Sequence, residues 1–183
     1  MKVLTLVCML GLLLPSSAMA VDLNTFKDVQ FETHVDRVHG IAIEYPYLWG
    51  TQPKRSKNEI FRVADQRQLP SLAISIQPRI ADLPLSQSAA AATQALGKDV
   101  TILSNKEIDL GGTPAWEVTV DWVLPIYGGI KLRNVMISVY RGDEWIVITG
   151  TDGRTVDGLY PQLVEALRSA RLIEPTQQAG VGK

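Results

Sequence analysis

The chain has one cysteine, Cys8, and two histidines, His34 and His39, in 183 residues. Cys8 falls inside the apolar run Val3 to Leu14 near the N-terminus. If that run is removed as a leader, no thiol remains for a disulfide, a metal or a nucleophile, and packing alone must hold the fold. No Gly-x-Ser-x-Gly elbow, phosphate-binding loop or His-Glu-x-x-His helix is present, so the common hydrolase, nucleotide and zinc-protease chemistries have no motif to stand on. One catalytic arrangement stays open, His34 or His39 paired with a distant serine and acid. No cofactor motif is found, and the expectation is a protein that is not an enzyme. Charge of one sign is also lacking: 18 Lys and Arg stand against 19 Asp and Glu. That balance argues against nucleic acid and against a strongly anionic membrane.

What is present begins with a leader. Lys2, the apolar run, Pro15-Ser16-Ser17 and the triplet Ala18-Met19-Ala20 have the charge, core and small-residue site of a secretory signal peptide, predicted to be cut after Ala20. The run is too short to span a bilayer, so the mature chain is expected to have no transmembrane segment and to be periplasmic or secreted. Val7 rather than a small residue precedes Cys8, which argues against a lipid anchor. Loss of Lys2 makes the net charge −2.

The best-patterned stretch is Gly111 to Thr151. Trp116, Val118, Val120, Trp122 and Leu124 alternate with Glu117, Thr119, Asp121 and Val123, the period-two signature of a strand with one dry face. Ile130 and Leu132 begin a second strand whose apolar phase shifts to Val135, Ile137 and Val139, which predicts a bulge near Arg133 and Asn134. Arg141-Gly142-Asp143 has the length of a hairpin turn. It leads into Trp145 to Thr149, apolar or β-branched throughout, as expected for a strand covered on both faces.

The flanking chain supplies further strands, at Phe31–Val35, Ile41–Tyr45, Ile60–Val63, Leu72–Ile76 and within Val100–Leu110. A helix is predicted over Leu85–Leu96, with Ser86 as N-cap and Gly97 at its end. A second begins at Pro161 and buries Leu163, Leu167 and Ala170. The fold class is therefore α+β: an α/β/α sandwich, mostly antiparallel, with a central meander flanked by helices. The predicted divisions are a signal peptide (1–20), an N-terminal extension (21–37), one domain (38–174) and a disordered tail (175–183).

Two features go beyond this pattern. Ile41-Ala42-Ile43-Glu44-Tyr45-Pro46-Tyr47-Leu48-Trp49 is an alternating strand ending in Tyr-Pro and closed by Trp; Gly111-Gly112-Thr113-Pro114-Ala115 turns into a long strand. With the aromatic-aliphatic strand and closing helix that follow, they resemble the PsbP-like superfamily over about residues 38–173. That superfamily includes an extrinsic photosystem II protein, the bacterial periplasmic DcrB group and a nuclear Ran-binding factor. The resemblance implies an α/β/α sandwich around an antiparallel sheet and a non-catalytic binding or assembly role.

Four groups of residues are candidate sites. Tyr45, Tyr47 and Trp49 form the densest aromatic cluster, either a rim that grips a partner or, through Trp49, a plug for one end of the core. Lys54, Arg55 and Lys57, with Arg62 and Arg67, concentrate positive charge suited to an acidic partner or lipid headgroups. His34, Asp36 and His39 carry metal-binding side chains at no standard ligand spacing. Asp152 and Asp157 lie among three glycines without the carboxylate spacing of a calcium loop, and read better as a loop before a helix. The function expected is an exported binding protein, an accessory or assembly factor with a protein partner in the cell envelope, acting through the end of the sheet near Tyr47 and Trp49 with the adjoining basic loop. A small-molecule carrier with a pocket between helix and sheet is the alternative, and a small hydrolase the third reading.

Overall fold

The computed structural model describes residues 29–94, 96–97, 99–125, 129–153 and 159–176. The predicted signal peptide, most of the predicted tail and Asp157 lie outside them. In chain order the elements are β1 (Phe31–Asp36), β2 (Ile41–Pro46), β3 (Gly50–Thr51), β4 (Glu59–Ala64), β5 (Ser71–Pro78), α1 (Leu85–Gln94), β6 (Val100–Asp109), β7 (Pro114–Leu124), β8 (Ile130–Arg141), β9 (Glu144–Asp152), α2 (Pro161–Ser169) and β10 (Arg171–Leu172). Seven strands form one sheet in the order β3-β4-β5-β9-β8-β7-β6, and β1-β2-β10 form a second. Every pairing among the described residues is antiparallel. The α+β sandwich is therefore observed, with one addition: α2 shares its side of the large sheet with the small one.

The alternation of side chains divides the large sheet into two faces. Val118, Val120, Met136, Trp145 and Val147 form a core with Ala89 of α1. On the other face Val135, Ile137, Ile146, Ile148, Leu72 and Ile74 join Ile41 and Ile43 of β2 and Leu163, Ala166 and Leu167 of α2. β9 contributes to both cores, which is why its sequence is apolar at consecutive positions. The turn between β8 and β9 is a two-residue hairpin at Gly142-Asp143, with Arg141 opposite Glu144 and Gly142 at φ +55°, a backbone state that glycine adopts without strain.

The expected bulge at Arg133 and Asn134 does not form, since β8 pairs without interruption from Ile130 to Ser138 against β7. The apparent phase shift has another cause. Leu132, Asn134 and Met136 face the α1 side throughout, Val135 and Ile137 face the α2 side, and β8 is covered on both faces beyond Arg133. The irregularity lies instead in β6, between Ile102 and Ser104.

α1 begins one residue before the predicted cap. The amides of Gln87 and Ser88 donate to the Pro84 carbonyl, which places Ser86 inside the first turn. α2 starts as predicted, with Pro161 in its first turn, where a missing amide donor costs nothing. The Asp152 carboxylate accepts the Tyr160 amide just ahead of it.

Candidate partner surface and groove

The predicted aromatic rim separates into a buried part and an exposed part. Trp49 is only 5% exposed and packs in the α2-side core; it cannot touch a partner, because the chain turns inward after Leu48 to bring the indole beneath the sheet. Of the two readings of Trp49, its burial is that of the plug for one end of the core rather than of the rim. Tyr45 is half-buried, tilted against Phe61 at 5.4 Å between centroids, and its hydroxyl donates to Glu32 at 2.8 Å. Burial, reinforced by Glu32, pushes its phenol up to about 12. Tyr47 and Leu48, by contrast, are 57% and 72% exposed. They sit on a turn held by two backbone bonds, Tyr47 N–H to the Gln30 carbonyl and Trp49 N–H to the Pro46 carbonyl, both 2.9 Å. Leu48 was not singled out in the sequence, where nothing local separates it from the buried Trp49 beside it.

Lys54, Arg55 and Lys57 are exposed in the loop between β3 and β4. The strand pairing sets their distance from Tyr47. Gly50 lies opposite Ala64, and the chain runs from there toward the Glu59 end of β4. At ~3.3 Å per residue the two ends of β4 are roughly 16 Å apart, so the aromatic turn and the cationic loop flank one sheet edge and do not merge into one patch. Arg67 belongs to the β4–β5 turn, at the aromatic end, where its amide donates to Asp65. Arg62 is mostly buried on β4, its side chain 12% exposed and its Nε 2.6 Å from Oε1 of Glu59, which is 3% exposed. The ion pair is close but poorly aligned as a hydrogen bond, since neither atom meets hydrogen-bond geometry.

The three predicted metal candidates do not converge. Asp36 accepts the amides of Val38 and His39 at 2.9 and 3.0 Å and the His39 ring Nδ1 at 2.9 Å, which closes the β1–β2 hairpin. Burial works to raise the Asp36 carboxyl, but the His39 and Val38 contacts outweigh it and hold it below its ordinary value. His34 stacks on Phe61 at 3.8 Å with an interplanar angle of 12°. Its Nε2 is buried without a hydrogen-bond partner, and burial holds its pKa low against the pull of Asp36. Among the described residues no group of three metal-ligating side chains forms.

Two concave regions lie on opposite faces of the large sheet. One, of about 400 Å³, runs between α2 and β6–β8, with Ile108, Val135, Ile137 and Leu167 on its walls and Lys106 and Arg168 at its rim. Lys106 is paired to Glu117 at 3.2 Å. The other, of about 450 Å³, lies on the α1 side where the helix does not reach. Its floor consists of two cross-strand rows, Ser71–Thr151–Asn134 and Arg62–Ala73–Thr149. Arg55 and Glu59 border one end, and Leu96, Trp122, Leu124 and Leu132 the other. Trp122 is fixed by donating to Asn134 Oδ1 at 3.1 Å. The sequence carried a faint signal for this groove, in that Ser71, Ala73 and Ser75 alternate with Leu72, Ile74 and Ile76.

No family model matches the chain, and no curated protein does. Solved structures do. The solution structure of cyanobacterial PsbP from Synechocystis superimposes with a TM-score of 0.59 at 12% identity, covering 79% of this chain and 93% of that one. LpqN of Mycobacterium tuberculosis, described as involved in cell envelope biogenesis, gives 0.53 at 14% identity over 80% and 92%. A Bacteroides thetaiotaomicron protein gives 0.51 at 10% identity, over 78% of this chain and 48% of its own. At these identities the likeness concerns architecture, and it agrees with the resemblance in the Tyr-Pro strand and the Gly-Gly turn: the chain has a PsbP-like fold.

Proposed function

We propose that the protein is an exported, non-catalytic binding protein, an accessory or assembly factor for a protein complex of the cell envelope. The observation that carries this reading is the Tyr47–Leu48 turn, where two large side chains 57% and 72% exposed stand on a backbone pinned from both sides. A rigid aromatic-aliphatic tip loses little entropy on docking and supplies a buried anchor to a partner. Lys54, Arg55 and Lys57 farther along the same edge would steer an acidic partner and set its orientation. Export is supported by the charge, apolar core and small-residue triplet at residues 1–20. Among the described residues no helix is long and apolar enough to cross a membrane. The envelope role described for LpqN supports the setting.

The test is cross-linking in intact cells followed by purification of the tagged protein. A stoichiometric partner captured by the wild type should be lost with Tyr47→Ala/Leu48→Asp and become less salt-sensitive with Lys54→Glu/Lys57→Glu. Equal capture by all three proteins would overturn the assignment of this edge.

A further inference from the structure

The groove on the α1 side has a graded chemistry that shares only Arg55 with the partner surface. From β4 it crosses β5, β9 and β8 to reach β7, four strand spacings of ~4.8 Å or roughly 19 Å in all. At the β4 end two guanidiniums, Arg55 and Arg62, face a single carboxylate, Glu59. Glu59 is 3% exposed and already engaged by Arg62, so one positive charge is left over. Burial lowers the pKa of Arg55, the charge of Arg62 adds a smaller repulsion, and Glu59 opposes both. An anion entering here relieves that repulsion and can take the paired donors of a guanidinium.

The middle of the groove is hydroxyl and amide. Ser71 is buried, Thr149 and Thr151 are partly exposed, and Asn134 is 4% exposed; a purely hydrocarbon ligand would strip water from these groups without replacing its hydrogen bonds. The β7–β8 end is apolar, formed by Leu124, Leu132 and Trp122. A volume of about 450 Å³ lies within the ~300–1,000 Å³ usual for small-ligand sites. A free inorganic anion would leave the apolar end unfilled, and a neutral acyl glycerol would leave the cations uncompensated.

The geometry points to a binding site for an anionic, single-chain amphiphile of the lysophospholipid class. Its phosphate lies between Arg55 and Arg62, its glycerol and ester over the Ser71–Thr151 row, and the start of its acyl chain against Leu124 and Leu132. This goes beyond the protein-partner reading and needs no partner to be tested.

The experiment is calorimetric titration of the purified protein with 1-octanoyl lysophosphatidic acid below its micelle concentration. Glycerol 3-phosphate serves as the head without the chain, and monooctanoyl glycerol as the chain without the head. Saturable one-to-one binding is expected for the complete molecule, with each fragment weaker by about ten-fold or more, the loss that follows from removing a charge-assisted bond or the apolar contact. Arg55→Ala, at an exposed site where folding is not at risk, and Thr149→Val, nearly isosteric, should each weaken binding several-fold. Arg168→Ala, at the rim of the cavity on the opposite face, should leave it unchanged. Thr149→Val touches the groove but not the partner edge, so its effect separates this site from the protein-binding surface. Absence of saturable binding, equal binding of monooctanoyl glycerol, or loss in Arg168→Ala with retention in Arg55→Ala would each overturn the assignment.

Discussion

Arg141, at the end of β8, donates from Nη1 to the carbonyl of Gly40 at 2.9 Å, and the amide of Ile173 donates to the same oxygen at 2.9 Å. One glycine carbonyl thus joins the β1–β2 hairpin, the β8–β9 hairpin and the segment after β10. Gly40 has φ +58°, and a Cβ there would overlap both the Arg141 guanidinium and the Ile173 carbonyl. Gly40→Ala combines left-handed strain with that overlap, and a loss of about 2–4 kcal/mol is expected. Urea unfolding should show a lower midpoint at unchanged slope.

Gly150, on β9, lies under α2. A Cβ at this position would sit 2.9 Å from Leu167 Cδ1 and 3.0 Å from Leu163 Cδ1, closer than methyl groups approach. Gly150→Ala should overpack the helix against the sheet and cost about 1–3 kcal/mol. Thermal melting of this variant alone and combined with Leu167→Ala checks the cause: relief of the clash in the double mutant should make the two losses less than additive.

Trp49 and Tyr47 are two residues apart and should respond in opposite ways. Trp49→Ala empties part of the core and is expected to cost about 3–5 kcal/mol. Tyr47→Ala removes an exposed ring, and stability should change by no more than about 0.5 kcal/mol while partner capture falls. Chemical denaturation of both variants, set beside the cross-linking experiment, checks the pair.

His34 gives the fold a pH dependence. Its pKa lies below the ordinary 6.5 because burial disfavours the imidazolium, so the unfolded chain binds the proton more readily than the folded one. The stability it contributes is present above pH 6.5 and declines as pH falls from there through the lower folded-state value. His34→Phe can keep the stack on Phe61 while removing the titration, so the decline in melting temperature from neutral pH to about pH 5 should be shallower than in the wild type. Asp36 acts in a separate window. Its carboxyl is held below the ordinary 3.8, so its contribution is lost only as pH falls through that depressed value. An equally steep decline near pH 6 in His34→Phe would remove His34 as the cause.

Much of the scaffold could be read from the chain. Trp116 to Leu124 alternates because one face of β7 is dry, and Trp145 to Thr149 does not because β9 feeds two cores. At Arg133 the same logic failed: a strand that passes from an uncovered to a doubly covered region imitates a bulge in its sequence. The site was less legible. Tyr47 and the basic loop at Lys54 read in the sequence as one adjoining surface, but their spacing along β4 depends on the Gly50–Ala64 pairing, which sets them apart. The small-residue alternation of Ser71, Ala73 and Ser75 marks one strand of the groove's floor, but no local run contains the groove.

The amino-acid sequence by itself determined the alternating strands, the Gly142 hairpin and the α2 stripe, since each rests on side-chain periodicity or backbone freedom within a few residues. Tertiary structure alone decided that Trp49 turns inward while Tyr47 and Leu48 turn out. It also decided that Arg62, Thr149 and Asn134 share a floor. These residues become neighbours only through the β4-β5-β9-β8 ladder, whose order is set by long-range packing, and a groove made of cross-strand rows has no counterpart along the chain.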